Sequence, residues 1–393
     1  MRNEKLNSFL ERKPLYYKEI DHERIHIAYG VLQPHIKQPK IVHIVGTNGK
    51  GSTGRMIAHL AYQQGIRNEK LEIRNYSVGH YSSPHIVKFN ERIWLDGEDA
   101  SDEILEQAHQ KLFLFLGKRM SDALSYFEYT TLLAFVVFEH CDLMVLEAGL
   151  GGEFDATNVC DKELSVITPI GIDHQAFLGE SIEEIASTKI RSIQKKVILA
   201  HQVYDEVVEV AENISALKGA KLFLNEKLEM RNEKLFEIGK EKNWGDYLID
   251  NAMVALQALD VLDISYDIND LKSLELFGRF YALRENIRID VGHNPLAAQA
   301  IEKALNEKVV LIYNSLDDKD YEEVLRILKP KVKRVEIINI NSQRATTVED
   351  IETALKNVGL EYSYFKNSID DNEKYLVFGS FYTVEAFLKS MTI

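Results

Sequence analysis

Eight short apolar runs rich in β-branched residues recur along the chain: KIVHIVG, CDLMVLEAG, ELSVITPIG and KKVILA in the first half, then NIRIDVG, KVVLIYN, RVEIINI and KYLVFGS. Near-continuous runs of this kind read as strands buried on both faces of parallel sheets, with the stretches between them as crossover helices. Helices are expected over 53–64, 181–190, 250–262 and 295–306. The class is therefore α/β, with two mainly parallel sheets. One series of runs ends around Asp270 to Ala282 and another begins at Ile287. Expected domains are residues 1–272 and 283–393, the second Rossmann-like, joined by a linker at 273–282.

The first run leads directly into a phosphate-binding pattern. In IVHIVGTNGKGST (41–53) the strand breaks at Gly46 and a helix restarts after Ser52, so strand, tight turn and helix follow in order. The N–H groups of such a turn and the positive end of the helix dipole favour an anion, and Lys50 adds a full charge. The common P-loop spacing is G-x-x-x-x-G-K-[ST]. Here Gly46 stands only three residues before Gly49, and Gly51 separates Lys50 from Ser52, so Gly46, Thr47, Asn48, Gly49, Lys50, Gly51 and Ser52 form a shortened variant.

A net charge of −14 argues against a nucleic-acid surface, which needs a basic excess. Two cysteines fit a reducing compartment and cannot by themselves make a metal site. MRNEKLNSFLERK lacks a signal-peptide core, and no apolar run of ~18 residues exists to span a bilayer, so a cytoplasmic protein is expected. RNEKL occurs at 2–6, 67–71 and 231–235, copies too short and isolated for a repeat architecture. They read as charged surface inserts, the middle one lying in the connection after the cradle helix.

Several strand ends carry chemistry-bearing side chains. Glu147 closes DLMVLE before the glycine-rich turn AGLGGEFDATN, where doubly wound sheets bind ligands and a nucleotide site needs a carboxylate for Mg²⁺. His174 follows the next run, in GIDHQAFLG; alone, it reads more readily as a hydrogen-bonded rim residue than as a ligand. Lys189, in EEIASTKIRS, reads alone as an exposed helix lysine. YSSPHIVKFNERI (81–93) is a hydroxyl-rich loop that leads to Arg92 and suggests a ligand lid. In the second half, Asp290 and His293 end a strand before a helix that starts near Pro295, and Arg279 lies near the expected junction, where its guanidinium could reach phosphates.

Taken in order, GTNGKGST, YSSPHIVKFNERI, SYFEYTTLLAF, EAGLGGEFDATNV, GIDHQAFLGESIEEIASTK, DNAMVAL, GRF, DVGHNP, DDKD and GSFY resemble the folylpolyglutamate synthase and dihydrofolate synthase family of the Mur ligase superfamily. The resemblance implies a Mur-ligase-type ATPase domain followed by a glutamate ligase domain. It makes the shortened loop the ATP phosphate cradle. It places Ser52, Ser83, Glu147, His174 and Lys189 around two Mg²⁺ ions, with Lys189 carbamylated. Asn251, Arg279 and Asp290 fall at ATP positions. Phe154, Asp155 and Ala156, with Ser125, Tyr126, Phe127 and Glu128, fall at substrate positions. Arg92, His293 and Ser380 fall around glutamate and the reaction centre. YYKEIDHERI matches the pterin-contacting N-terminal segment in shortened form. The pattern departs at Glu153, where the family usually has Arg, and at TKIRS, where it has a Glu-Lys-Ala-Gly-Ile run.

The implied activity is an ATP-dependent carboxylate–amine ligase acting, as a monomer, on dihydropteroate or reduced folates and L-glutamate. Two alternatives differ from it. A P-loop switch or transport NTPase would hydrolyse ATP without a pterin, and DVGHNP and DDKD argue against it. A Mur-type ligase of peptidoglycan precursors would differ only in its substrate.

Overall fold

The computed structural model describes residues 4–14, 21–70, 76–225 and 233–391. The chain divides into two compact units: Met1–Met230 with Asn251–Leu271, and Arg231–Asp250 with Lys272–Ile393. Residues 231–250, which the sequence placed with the first domain, group with the second unit.

All eight apolar runs form strands. The first unit holds β1 (Lys40–Val45), β2 (Val78–Tyr81), β3 (Ile93–Leu95), β4 (Glu98–Asp99), β5 (Leu143–Glu147), β6 (Leu164–Ile167), β7 (Lys196–Leu199) and β8 (Lys221–Leu224). They make an eight-stranded sheet in the order β4-β3-β2-β5-β1-β6-β7-β8. It is parallel from β2 to β8, with β3 and β4 added antiparallel at one edge. The second unit holds β9 (Tyr281–Arg284), β10 (Ile287–Ile289), β11 (Val309–Tyr313), β12 (Val332–Ile337), β13 (Tyr362–Tyr364) and β14 (Tyr375–Phe378), in the order β13-β12-β11-β14-β10-β9. Only β9 pairs antiparallel there.

Strand β1 shows why its sequence is continuous rather than alternating. It lies at the middle of the sheet, and from Ile41 to Val45 every residue is buried. Ile44 faces the helix Lys50–Lys70, where its Cδ1 stands 3.1 Å from where a Cβ on Gly54 would be. Ile41 packs with Leu32, Leu112, Tyr129 and Phe135 from helices covering another part of the sheet. A third group, Ile167, Ile185, Ile190, Val197 and Val207, closes the core around the helices Ile182–Ile190 and Asp205–Lys218. In the second unit Leu311, Tyr313, Val335, Leu355, Leu376 and Phe378 form the core.

The four expected helices appear as Lys50–Lys70, Ile182–Ile190, Asp246–Val261 and Pro295–Ala304. The surface-insert reading of RNEKL needs correction. The first helix continues through residue 70, so the middle copy extends it rather than following it. Leu6 and Leu235, the last residues of the outer copies, are buried helix residues and act as apolar anchors. Residues 2–3, 71 and 231–232 of the three copies lie outside the described residues.

Candidate active site

The carboxyl end of β1 delivers the glycine-lysine turn. Gly46 has a positive φ of 151°, and a Cβ there would lie 2.0 Å from Thr168 Oγ1, so no side chain fits. The N–H groups of Thr47 and Asn48 both donate to the Pro169 carbonyl, at 3.0 and 3.2 Å. Thr47 Oγ1 donates to the Gly171 carbonyl at 3.1 Å and accepts from its N–H at 3.0 Å. The turn is thus pinned to the segment after β6 and runs into the N-terminus of a 21-residue helix. Lys50 Nζ donates to the carbonyls of Gly46 and Thr47 at 3.2 and 3.3 Å. Lys189 Nζ, from the helix Ile182–Ile190, also reaches Gly46 O, at 3.1 Å. Lys189 is buried, not the exposed helix lysine that its local sequence suggests. Ser52 Oγ donates to Gly49 O and accepts from Asn251 Nδ2 at 2.8 Å.

Two further expected residues, Glu147 and Ser83, meet at the carboxyl ends of β5 and β2. Glu147 ends β5 in register with Ile44, is buried, and accepts from the Ser83 N–H at 3.3 Å. His174 sits in the left-handed region (φ 54°) before the short helix Gln175–Leu178, three residues after the Gly171 that Thr47 holds. Its Nε2 lies 3.9 Å from Asp173 Oδ1. Among the described residues no three His, Cys, Asp or Glu side chains form a ready metal cage.

The glycine-rich turn after β5 closes over Lys189. A Cβ on Gly152 would stand 2.3 Å from Lys189 O, and the Glu153 N–H donates to Thr188 O at 2.9 Å. Glu153 and Arg191, which occupy the two places of departure, pair with each other at 3.3 Å. Phe154 is 56% exposed and Ala156 is buried. Asp155, expected to face a pterin, turns inward. It accepts from the Leu150 N–H at 2.8 Å, the Thr157 N–H at 2.9 Å and Thr157 Oγ1 at 2.5 Å. Burial raises its carboxyl above the usual range, against the pull of these donors.

Ser125 caps the helix Tyr126–Val137, and Glu128 returns to the Ser125 N–H at 2.6 Å, completing a capping box. Glu128 also holds Arg24 at 2.8 Å, so this expected substrate residue is committed to joining two helices. Residues 16–20 of the YYKEIDHERI segment lie outside the described residues. Phe127 packs against Tyr81, ring centroids 6.0 Å apart. Arg92 is buried, its guanidinium 5.3 Å from the Tyr126 ring centroid and its Nε donating to His85 Nδ1 at 2.8 Å. Its Nη groups make no hydrogen bond to a described residue. Burial, with the Arg92 charge beside it, pushes His85 down to about 4.

In the second unit, Asp290 is buried and accepts from the Phe280 N–H and Gly292 N–H, both at 2.7 Å, and from Tyr247 Oη at 3.1 Å. Burial raises its carboxyl, which the nearby Arg279 and these donors oppose. Arg279 lies 5.4 Å from the Phe381 ring centroid. His293 Nδ1 is 3.1 Å from Val291 O, just before Asn294 caps the helix Pro295–Ala304. Ser380 caps the helix Phe381–Ser390, its Oγ 2.7 Å from Thr383 Oγ1.

Sequence reasoning passed over His85 and His43. His85 lies in YSSPH, directly after the cis-proline pair Ser83-Pro84. His43 is the one polar side chain inside IVHIV, and a histidine in a doubly buried run is itself a signal.

No protein-family profile matches the chain. Whole-chain relatives do. It is 32% identical over 410 residues to the dihydrofolate synthase/folylpolyglutamate synthase of Escherichia coli K12, covering 96% of this chain and 92% of that protein. The Haemophilus influenzae protein of the same description is 30% identical, with 97% and 95% covered. A Helicobacter pylori folylpolyglutamate synthetase structure is 39% identical, covers 98% of each chain and superposes with a TM-score of 0.76. E. coli FolC in complex with DHPP and ADP is 27% identical, with 98% and 96% covered and a TM-score of 0.79.

Proposed function

Since the chain belongs to the dihydrofolate synthase/folylpolyglutamate synthase family, we propose that it is an ATP-dependent ligase joining L-glutamate to dihydropteroate, to a reduced folate, or to both. The carrying observation is the cradle at the end of β1, where Lys50 and the buried Lys189 converge on Gly46. An E. coli relative that holds DHPP and ADP supports the choice of a pterin carboxylate and a nucleotide.

The order of steps follows from leaving groups. A carboxylate has a poor one, so its oxygen first attacks the γ-phosphorus of ATP, ADP departs and an acyl phosphate forms. The α-amino group of glutamate then attacks the acyl carbon, inorganic phosphate departs and the amine loses a proton. Lys50 and the N–H groups at the start of its helix offset charge on the phosphoryl group in transfer. Arg92, held by Tyr126 and His85 with its Nη groups unengaged by described residues, is oriented for a substrate carboxylate. We assign Asn251, Arg279 and Asp290 to the nucleotide, Phe154 and Ala156 with Ser125, Tyr126 and Phe127 to the pterin substrate, and His293 and Ser380 to glutamate.

The oxygens of Ser52, Ser83 and Glu147, with His174, suit a hard divalent cation. Magnesium, two ions in this reading, would supply Lewis-acid charge to the phosphates when bound. The Lys189 ammonium fits such a set only after its neutral amine adds to CO₂, losing a proton and presenting two anionic oxygens. No described helix is long and apolar enough to cross a membrane; we place the protein in the cytoplasm as a monomer. ADP release tests the reading, with glutamate plus dihydropteroate, tetrahydrofolate or a uridine-linked muramyl substrate in turn. Amide formation with a pterin is expected. ATP hydrolysis indifferent to pterin, or turnover with the muramyl compound alone, would replace it.

A further inference from the structure

A buried polar chain links the strand beneath the cradle to the glycine-rich turn. His43 in β1 is fully buried, and its Nε2 lies 2.7 Å from Thr157 Oγ1. Thr157, also fully buried, lies 2.5 Å from Asp155 Oδ1 through the same oxygen. A hydroxyl has one proton, and an ionised carboxylate can only accept, so the Thr157 proton goes to Asp155. Thr157 Oγ1 therefore accepts from His43 Nε2–H. Full burial disfavours the charged ring, so the imidazole is the neutral Nε2–H tautomer and Nδ1 is left as a bare acceptor. Nδ1 is the ring atom that has no partner among the described residues.

An apolar residue at position 43 would complete the run and leave no buried nitrogen unpaired, so packing alone does not account for the histidine. Direction does. Asp155 Oδ2 holds the Leu150 N–H, so the carboxylate closes residues 150–155 into a ring, with Phe154 and Ala156 on either side of it. The cradle has its own anchors in Pro169, Gly171 and Thr168, and meets the glycine-rich turn through the helix that carries Lys189. We propose that His43 is a positioning residue for the pterin substrate: acting through Thr157, it orients Asp155 and hence the turn that carries Phe154 and Ala156. This inference rests on the ligase reading above.

The test separates substrate from nucleotide. In His43→Leu the KM for the pterin substrate should rise about 10-fold while the KM for ATP stays within about 2-fold. His43→Gln, whose amide N–H₂ can donate in place of Nε2–H, should return the pterin KM to within about 3-fold of wild type. Thr157→Val, nearly isosteric, should match His43→Leu, and the double variant should be no worse than either, because both cut one chain. Equal rises in both KM values, no rescue by Gln, or multiplied effects in the double variant would overturn the proposal. A readout independent of activity is the ¹⁵N spectrum of histidine-labelled protein, with His43 assigned by its loss in His43→Gln. A protonated Nε2 and bare Nδ1 are expected; the Nδ1–H tautomer or an imidazolium would refute the chain. If the wild type forms no amide with any pterin, the ligase reading fails, and the spectrum still decides whether the chain exists.

Discussion

Lys50 and Lys189, 139 positions apart in the sequence, donate to a single acceptor, the carbonyl oxygen of Gly46. Two amines on one carbonyl place the loop lysine and the helix lysine within one site. They also divide the work: Lys50 opens the helix that follows the turn, and Lys189 approaches as a buried residue of the helix Ile182–Ile190.

Lys50→Ala should severely impair turnover with the fold intact, since Lys50, partly exposed at the first position of its helix, bonds only to backbone carbonyls. Loss of one charge contact to the group in transfer should lower kcat by about 10²–10³. Steady-state kinetics at saturating ATP check this, with thermal unfolding as the control; full ligase activity would remove the loop from the mechanism.

Lys189→Ala should be nearly inactive, and acetate or formate in the buffer should restore part of the rate by standing in for a carbamate. Activity of the wild type should fall when CO₂ is stripped. Mass analysis of the intact site showing a bare amine, in a preparation with full activity, would exclude the modified lysine.

Asp155→Ala leaves the Leu150 and Thr157 N–H groups unpaired in the interior, which should lower stability by about 2–3 kcal/mol. Catalysis should weaken with dihydropteroate and with reduced folate alike, because the turn itself loosens. Selective loss with dihydropteroate at unchanged stability would instead set the side chain against the substrate.

Glu128→Ala removes the partner of Arg24 and the second half of a capping box. Both groups are largely buried, so a loss of about 2–4 kcal/mol is expected by urea unfolding. A variant as stable as wild type, yet with a raised pterin KM, would return Glu128 to the substrate.

His85 has its ordinary value near 6.5 in the unfolded chain and about 4 in the fold. Between these values the unfolded state binds more protons, so stability should rise with pH from about 4 to 6.5 and level off above it. The neutral ring accepts from Arg92; protonation ends that bond. His43, His80 and His109 are lowered in the same direction and add to the slope. Unfolding midpoints across this range should flatten in part in His85→Gln; an unchanged slope would show that His85 does not contribute.

The α/β architecture was legible because strands buried on both faces must be apolar throughout, and all eight such runs are strands. β4 was not, being a two-residue edge strand of acidic residues, nor was β3, whose three residues are too few to show a pattern. The cradle was legible because glycine, lysine and serine at that spacing serve few other purposes. Burial of Lys189 was not, since it depends on a turn more than thirty residues away in sequence closing over the helix. Nor was the pairing of Glu153 with Arg191, whose opposite charges gave no hint of contact at a separation of 38. The inward turn of Asp155 likewise arises from Leu150 and Thr157, which its motif names without orienting.

The pinning of Thr47 and Asn48 to Pro169 and Gly171 has a thermodynamic consequence. Four hydrogen bonds to a neighbouring strand end hold the turn before any phosphate arrives, so little chain entropy remains to be lost on nucleotide capture. Calorimetry of nucleotide binding should therefore lack the large entropic penalty of a folding loop, and association should proceed without a slow ordering phase.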